Sequence, residues 1–281
     1  MFHEHSSWVD SAAVNYIHRM TFRCAVLAGL ISLQTGPVFA NPPSQHAGHE
    51  QPVAAAGSDP LRDAGVPLAD REKALAAKGG SVADAAWRAI ESCDRCLAAN
   101  DLAAVLASRP SAELEPLAPT LAKACADASR PVIRAAAARA LCAVPADKRP
   151  VESRALAPID LQLKCVTGLM AWEPREFTAA PDTLVHLHMD NPDSMQHNLL
   201  VVAPGALSEI GVAAEKMGEG LDGKKRQFVP DNPKVLFVMG LVAPGQSGDL
   251  WFFTPAKPGT YVLVCTYPGH YRMMNAKLKV K

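Results

Sequence analysis

The stretch CTYPGHYRMM, close to the C-terminus, holds three residue types that bind metal ions. Cys265 offers a thiolate, His270 an imidazole and Met274 a thioether, and a second imidazole, His197, opens the apolar run HNLLVV earlier in the chain. Two imidazoles and a thiolate with a distant thioether form the ligand set of a blue copper site, because sulfur suits Cu(I) and imidazole suits both oxidation states. The residue types therefore predict one copper ion held by His197, Cys265, His270 and Met274.

The sequence after Pro145 predicts the framework that brings these residues together. Short alternating or apolar runs are separated by turn sequences such as APDT, DNPDS and AKPGT. Many short strands at this spacing indicate a β-sandwich, which we place at residues 155–281. A helical pattern at 205–219 predicts a flap between two strands. Tyr261, shortly before Cys265, is expected to form a tyrosine corner.

These motifs resemble the cupredoxin family, and within it the azurin and auracyanin type. The matching pieces are MQHN at 195–198 and CTYPGHYRMM at 265–274, whose Cys-x4-His-x3-Met spacing is similar to the longer azurin-type loop. The resemblance implies a Greek-key β-sandwich of the azurin and plastocyanin kind with a type 1 copper. It also implies that Asn198 hydrogen-bonds to the cysteine loop, with Gln196 and Thr266 around the ligands. Azurins have a glycine where this chain has Gln196.

A closed metal site without a neighbouring acid or base predicts an electron-transfer protein that cycles between Cu(I) and Cu(II), not an enzyme. We expect His270 to reach the surface and to pass the electron to redox protein partners. The expected exit and docking patch consists of His270, Met195, Tyr267, Pro268 and Met273. Equal numbers of basic and acidic residues, 28 each, agree with apolar docking and give no reason to expect nucleic acid as a partner.

Other metals and functions stay open at this point. Zinc is the best competing ion, since cysteine and histidine also suit it. Multicopper oxidases carry histidines beside the type 1 cysteine, whereas Val264 and Thr266 flank Cys265 here. The alternative function is copper trafficking, or a protein-interaction module in which the metal is not a redox carrier. His186 and His188 share one face of a strand, and an exposed polar face is the expected interpretation of that pair.

The N-terminus predicts export. Residues 1–40 combine basic residues, the apolar run CAVLAGLISL and small residues in PVFA, as in a signal peptide that is cleaved after about Ala40. Met20 is a second candidate for the start of the protein, and an uncleaved N-terminal anchor is the alternative to a cleaved signal peptide. Residues 41–60 predict a flexible linker. We therefore expect a periplasmic protein without a stable membrane span in its mature form.

Residues 61–150 predict a small all-α, alanine-rich domain that is HEAT-like over 112–144 and that docks or tethers the carrier. The fold class is thus multidomain α plus β, a helical domain followed by a cupredoxin sandwich with a helical flap. Ser81 and Asp101 are the predicted helix caps. A disulfide of Cys125 with Cys93 or Cys96 is one hypothesis. The cysteines whose pairing the sequence leaves open are Cys93, Cys96, Cys125, Cys142 and Cys165.

Overall fold

The computed structural model describes residues 59–93, 97–218 and 220–281. The predicted signal peptide and nearly all of the predicted linker lie outside these residues, as does Cys96. Among the described helices, none combines the length and the apolar character that crossing a bilayer requires.

Six α-helices of the described chain precede the strands. Ser81 caps the second of them, because its Oγ accepts a hydrogen bond from the backbone N–H of Ala83 at 3.1 Å, as predicted. Pro131 occupies the first turn of the last one, where its missing N–H costs no hydrogen bond. The helices are α1 (Leu68–Ala76), α2 (Val82–Glu91), α3 (Ala99–Ala107), α4 (Ser111–Leu114), α5 (Ala118–Ala126) and α6 (Pro131–Ala143).

Small side chains let these helices pack closely around one apolar core. Ala136, Ala137 and Ala140 of α6 are buried in the same cluster as Leu102 and Leu106 of α3. Alanine brings the helix backbones near one another and loses no side-chain entropy on folding. The HEAT-like character of this half stays a prediction.

A buried arginine ties the first helix to the third. The guanidinium of Arg71, fully buried, donates to the carboxylate of Asp101 at 2.9 Å and to the backbone carbonyls of Pro60 and Asp63 at 2.5 and 2.8 Å. Asp101 was predicted to cap the helix and does not, because α3 begins at Ala99 and places Asp101 inside its first turn. There its carboxylate compensates the buried charge of Arg71 instead.

The second half is a mixed β-sandwich with helices between two strands, as predicted. One sheet has the order β2-β1-β4-β7 and the other β3-β9-β8-β5-β6. The pairs β1–β4 and β3–β9 are parallel, and the other pairs are antiparallel. The elements are β1 (Ile159–Cys165), β2 (Trp172–Glu173), β3 (Glu176–Ala179), β4 (Leu184–Asn191), β5 (His197–Val202), α7 (Leu207–Met217), α8 (Leu221–Lys225), β6 (Val235–Val242), β7 (Gln246–Phe253), β8 (Gly259–Val264) and β9 (Asn275–Val280).

Apolar side chains from the facing sides of both sheets fill the sandwich. Leu187 and Phe252 of one sheet share a buried cluster with Leu263 and Leu278 of the other. The Tyr261 hydroxyl donates to the backbone carbonyl of Lys257 at 2.9 Å, which is the hydrogen bond expected of the predicted tyrosine corner.

The helical half packs directly against the sandwich. Ala138 of α6 is buried with Leu184 and Phe253, and the Arg134 guanidinium lies 3.7 Å above the Phe253 ring. The Asn100 side chain donates to the backbone carbonyl of Asp249 in β7 at 2.9 Å. Apolar burial, a cation–π contact and a hydrogen bond therefore fix the helices on the sandwich.

The structure contradicts the cysteine hypothesis. Cys125 is a free thiol, and so are Cys142 and Cys165, whereas Cys93 is disulfide-bonded. Cys125 packs with Cys142 against the Leu184–Phe253 contact under α6, and this burial raises the pKa of Cys125 to about 11.

Candidate metal centre

Two imidazoles and one thiol converge at one end of the sandwich. Nδ1 of His197 lies 3.8 Å from the Sγ atom of Cys265, and Nδ1 of His270 lies 3.6 Å from it. The three ligand atoms lie within 4.8 Å of one another, and all three side chains are buried. Nitrogen and sulfur ligands about 2.1 and 2.3 Å from one ion, in a trigonal arrangement, would stand about 3.8 Å apart. The donor atoms and their separations therefore fit a single metal ion.

Strand pairing places the ligands. His197 is the first residue of β5, and Cys265 directly follows β8, which pairs with β5 through Leu200 and Val264. The loop then turns at Gly269, whose φ of 85° favours glycine, and brings His270 back beside the thiol. A strand start and a strand end on neighbouring strands thus bring two distant sequence motifs together.

Met274 closes the same loop. Its backbone N–H donates to the carbonyl of His270 at 2.8 Å, and its carbonyl accepts from the N–H of Cys265 at 3.0 Å. Its side chain is fully buried in the cluster that contains Cys265. These bonds hold the thioether residue and the thiol residue together at the re-entry into β9.

Asn198 joins the two ligand segments. Its Nδ2 group donates to Thr266 Oγ1 and to the backbone carbonyl of Gln227, both at 2.8 Å, and its Oδ1 atom accepts from the backbone N–H of Thr266 at 2.7 Å. Asn198 and Thr266 are both buried, whereas Gln196 is half-buried. The amide therefore fixes the residue after the first histidine to the residue after the cysteine.

Asp193 is a part of the site that sequence reasoning missed. Its Oδ2 atom lies 3.1 Å from Nε2 of His197, and its Oδ1 atom accepts from the backbone N–H groups of Gly168 and Ser194 at 3.1 and 2.8 Å. Burial opposes ionisation, but hydrogen bonds from Gly168, Ser194 and His197 outweigh it, so the pKa of Asp193 lies below its usual value. A carboxylate that accepts the Nε2–H leaves the lone pair on Nδ1, which faces Cys265.

A close helix contact supports the ligand loop from outside. Gly211 of α7 lies against the ring of Tyr271, the neighbour of His270, and a Cβ atom at this position would overlap that ring. Glycine is therefore required in the flap, because any side chain would displace the loop that carries His270.

Comparisons with known proteins find relatives of part of this chain. Auracyanin-B of Chloroflexus aurantiacus is 31% identical over 117 residues, which are 40% of this chain and 47% of that protein. Auracyanin-A of the same organism is 25% identical over 124 residues, 44% of this chain and 75% of that protein. Outer membrane protein H.8 of Neisseria gonorrhoeae is 30% identical over 107 residues, 37% of this chain and 53% of that protein. No protein-family model matches the chain.

The C-terminal half of the chain is homologous to the auracyanins. The predicted resemblance to azurin-like and auracyanin-like cupredoxins is thereby confirmed for this half. The chain spans about half the length of auracyanin-B. The solved structure of auracyanin A, described as a "blue" copper protein, covers 44% of this chain and all of that one, with 25% identity and a TM-score of 0.41.

Burial sets the protonation of the candidate ligands in the metal-free chain. It raises the pKa of the Cys265 thiol to about 12 and lowers the pKa of His270 to about 4. It also lowers the pKa of His197, although Asp193 opposes this change. At neutral pH the centre therefore holds two neutral imidazoles with free lone pairs and one protonated thiol.

Cys265 should lose its proton when the chain takes up copper at pH 7. The two histidines have none to lose, because their pKa values lie below the ordinary one, so we expect about one proton per copper. Titration of Cu(II) into a weakly buffered solution with a pH indicator measures this number. Cys265→Ala should release about one proton fewer per chain than the unmodified chain, and equal proton release by the two chains would contradict the assignment.

The structure corrects one expectation about His270. This residue does not reach the surface, since only 2% of it is exposed, and its Nε2 atom is buried without a hydrogen-bond partner among the described residues. The Tyr267 ring covers it at 4.9 Å between ring centroids, and Phe228 packs edge-on against Tyr267. Of the other patch residues, Met195 and Met273 are 40% and 57% exposed, and Tyr267 and Pro268 are half-buried.

Proposed function

We propose that this chain binds one copper ion through His197, Cys265, His270 and Met274 and carries single electrons. The observation that carries the proposal is the buried convergence of two Nδ1 atoms and one Sγ atom within 4.8 Å. Thiolate and imidazole ligands with a thioether favour copper over zinc. Homology to the auracyanins supports the same ion.

The protein residues suit electron transfer better than catalysis. Bound copper would supply a one-electron change between Cu(I) and Cu(II). The hydrogen bond from Asn198 to Thr266, the bond from the Cys265 N–H to the Met274 carbonyl and the bond from the Met274 N–H to the His270 carbonyl would fix the ligand positions for both oxidation states. The burial of all three ligating side chains leaves no opening for a substrate. A fixed, closed site changes its charge with little rearrangement.

We expect the electron to leave through the surface of the ligand loop at Tyr267, Pro268 and Met273. Because His270 is buried beneath Tyr267, a redox partner would contact Tyr267 and Pro268 above it, next to the exposed thioether of Met273. Apolar surface of this kind fits docking without strong electrostatic attraction. The helical half, packed on the sandwich, would present a further surface for docking or tethering. We expect the carrier to work outside the cytoplasm, in keeping with the predicted signal peptide.

Voltammetry of the copper-loaded chain tests the carrier function. We expect a reversible one-electron wave, and no such wave from Cys265→Ala. The protein should keep its copper through repeated reduction and reoxidation. Trafficking predicts the opposite behaviour, because a trafficking protein would give up its Cu(I) to a competing chelator within the same experiment. Loss of copper on reduction would therefore overturn the carrier proposal in favour of copper trafficking.

A further inference from the structure

A second cluster of histidine and aspartate side chains lies on the outer face of the other sheet, outside the candidate copper site. His186 and His188 point to the same side of β4. Strand pairing sets Asp160 of β1 opposite His186 and Asp249 of β7 opposite His188. Asp190, two residues further along β4, shares their face. Two imidazoles and three carboxylates thus form one continuous row.

The distances divide the imidazole nitrogens into an inner and an outer pair. The inner atoms, His186 Nε2 and His188 Nδ1, lie 2.9 and 2.8 Å from the same oxygen, Oδ1 of Asp249. The outer atoms, His186 Nδ1 and His188 Nε2, lie 2.9 and 3.2 Å from Asp160 and Asp190. All four nitrogens therefore face carboxylate oxygens.

A neutral imidazole cannot satisfy this arrangement, because it has one N–H and one lone pair. If the outer nitrogens donate to Asp160 and Asp190, both inner lone pairs face the carboxylate of Asp249, and three acceptors meet without a donor. Positive charge between them removes the conflict, and protons or a metal ion can supply it.

The outer carboxylates favour the metal ion as a partner. Metal-binding histidines commonly donate their second N–H to a carboxylate, which orients the ring and makes its lone pair a better ligand. Asp160 and Asp190 stand in this position for both rings. We propose that His186 Nε2, His188 Nδ1 and the Asp249 carboxylate form a second metal site, for a divalent ion of the zinc and copper(II) class.

The surroundings leave this site open to solvent while fixing its base. The side chains of His186, His188 and Asp249 are 24, 28 and 39% exposed, so an ion can enter and water can complete its coordination. The Trp251 ring stacks on His186 at 4.7 Å, and the Asn100 amide of the helical half holds the Asp249 carbonyl. Oδ1 of Asp249 now holds the place between the two inner nitrogens, so binding of an ion there would require the half-exposed carboxylate to turn.

Calorimetric titration with Zn²⁺ tests the site in the full chain carrying Cys265→Ala, which removes the thiolate of the buried centre. We expect one zinc ion per chain at this site. His188→Asn and His186→Asn should abolish that binding, and Asp160→Asn should weaken it about 10- to 100-fold. Asp147→Asn, the same change on an exposed residue of the helical half, should leave it unchanged.

Two results would overturn the proposal: no zinc uptake by the Cys265→Ala chain, or uptake that His188→Asn and His186→Asn leave intact. The second result would place the zinc at another group of ligands. Thermal unfolding of each variant shows whether it is folded, and the polar, half-exposed positions make folding of both histidine variants the expected outcome. Because the buried thiolate is absent throughout, neither result depends on the proposed copper site.

Discussion

Asn198→Ala is expected to lower the free energy of unfolding of the metal-free chain by about 3 kcal/mol. Asn198 makes three buried hydrogen bonds, to Thr266 twice and to the Gln227 carbonyl, and each contributes about 1 kcal/mol. The backbone N–H of Thr266 is left buried without its acceptor, which adds to the cost. Urea unfolding followed by circular dichroism measures the change.

Two further variants sharpen this result. Asn198→Asp keeps an acceptor for the Thr266 N–H but loses both hydrogen bonds that Nδ2 donates. It should therefore also lower the free energy of unfolding. Asn232→Ala removes a surface amide that donates a hydrogen bond to Glu209 at 2.8 Å, and its effect should stay within about 0.5 kcal/mol. An Asn198→Ala chain as stable as Asn232→Ala would show that the hydrogen bonds between Asn198 and Thr266 contribute little to stability.

Asp193→Asn is expected to raise the reduction potential of the copper-loaded chain by about 100 mV. The buried carboxylate lies on the far side of the His197 ring from the ligating Nδ1 atom. A unit charge about 7 Å from the ion, at an effective dielectric constant of about 20, contributes about 2.4 kcal/mol. Removal of this negative charge disfavours Cu(II) more than Cu(I), which for one electron corresponds to about 100 mV.

The control for this variant is Asp231→Asn, an exposed carboxylate whose removal should leave the potential nearly unchanged because solvent screens it. Asp193→Asn should also weaken copper binding about 10- to 100-fold, because a neutral amide accepts the hydrogen bond from the Nε2–H of His197 less strongly than a carboxylate does. A potential that stays constant or falls in Asp193→Asn would contradict the role of this carboxylate.

The ligand types and the sandwich could be predicted because they depend on local pattern. Cys265, His270 and Met274 stand in one short loop, and alternating runs mark the strands on either side. Asn198 follows His197 directly, so the resemblance to cupredoxins suggested its contact with the cysteine loop. In each case the signal lies within a few residues of the site.

Features that depend on contacts between distant elements could not be predicted. The burial of His270 results from Tyr267 packing against Phe228, which follows α8. The hydrogen bond of Asp193 depends on how the DNPDS turn folds back onto His197. A carboxylate four residues before a predicted ligand was a signal that could have been used. The row of histidines and carboxylates on β4 needed the strand register, which the alternation of residues alone does not give.

The visible absorption spectrum of the Cu(II)-loaded chain, recorded beside Cys265→Ala, tests the central claim most directly. If His197, Cys265 and His270 hold copper together, the unmodified chain will show an intense blue band that ascorbate bleaches and that the variant lacks. A colourless chain that still binds one equivalent of metal would contradict the claim. It would show that Cys265 does not bind Cu(II) in a type 1 site and would direct the search to zinc or Cu(I) binding.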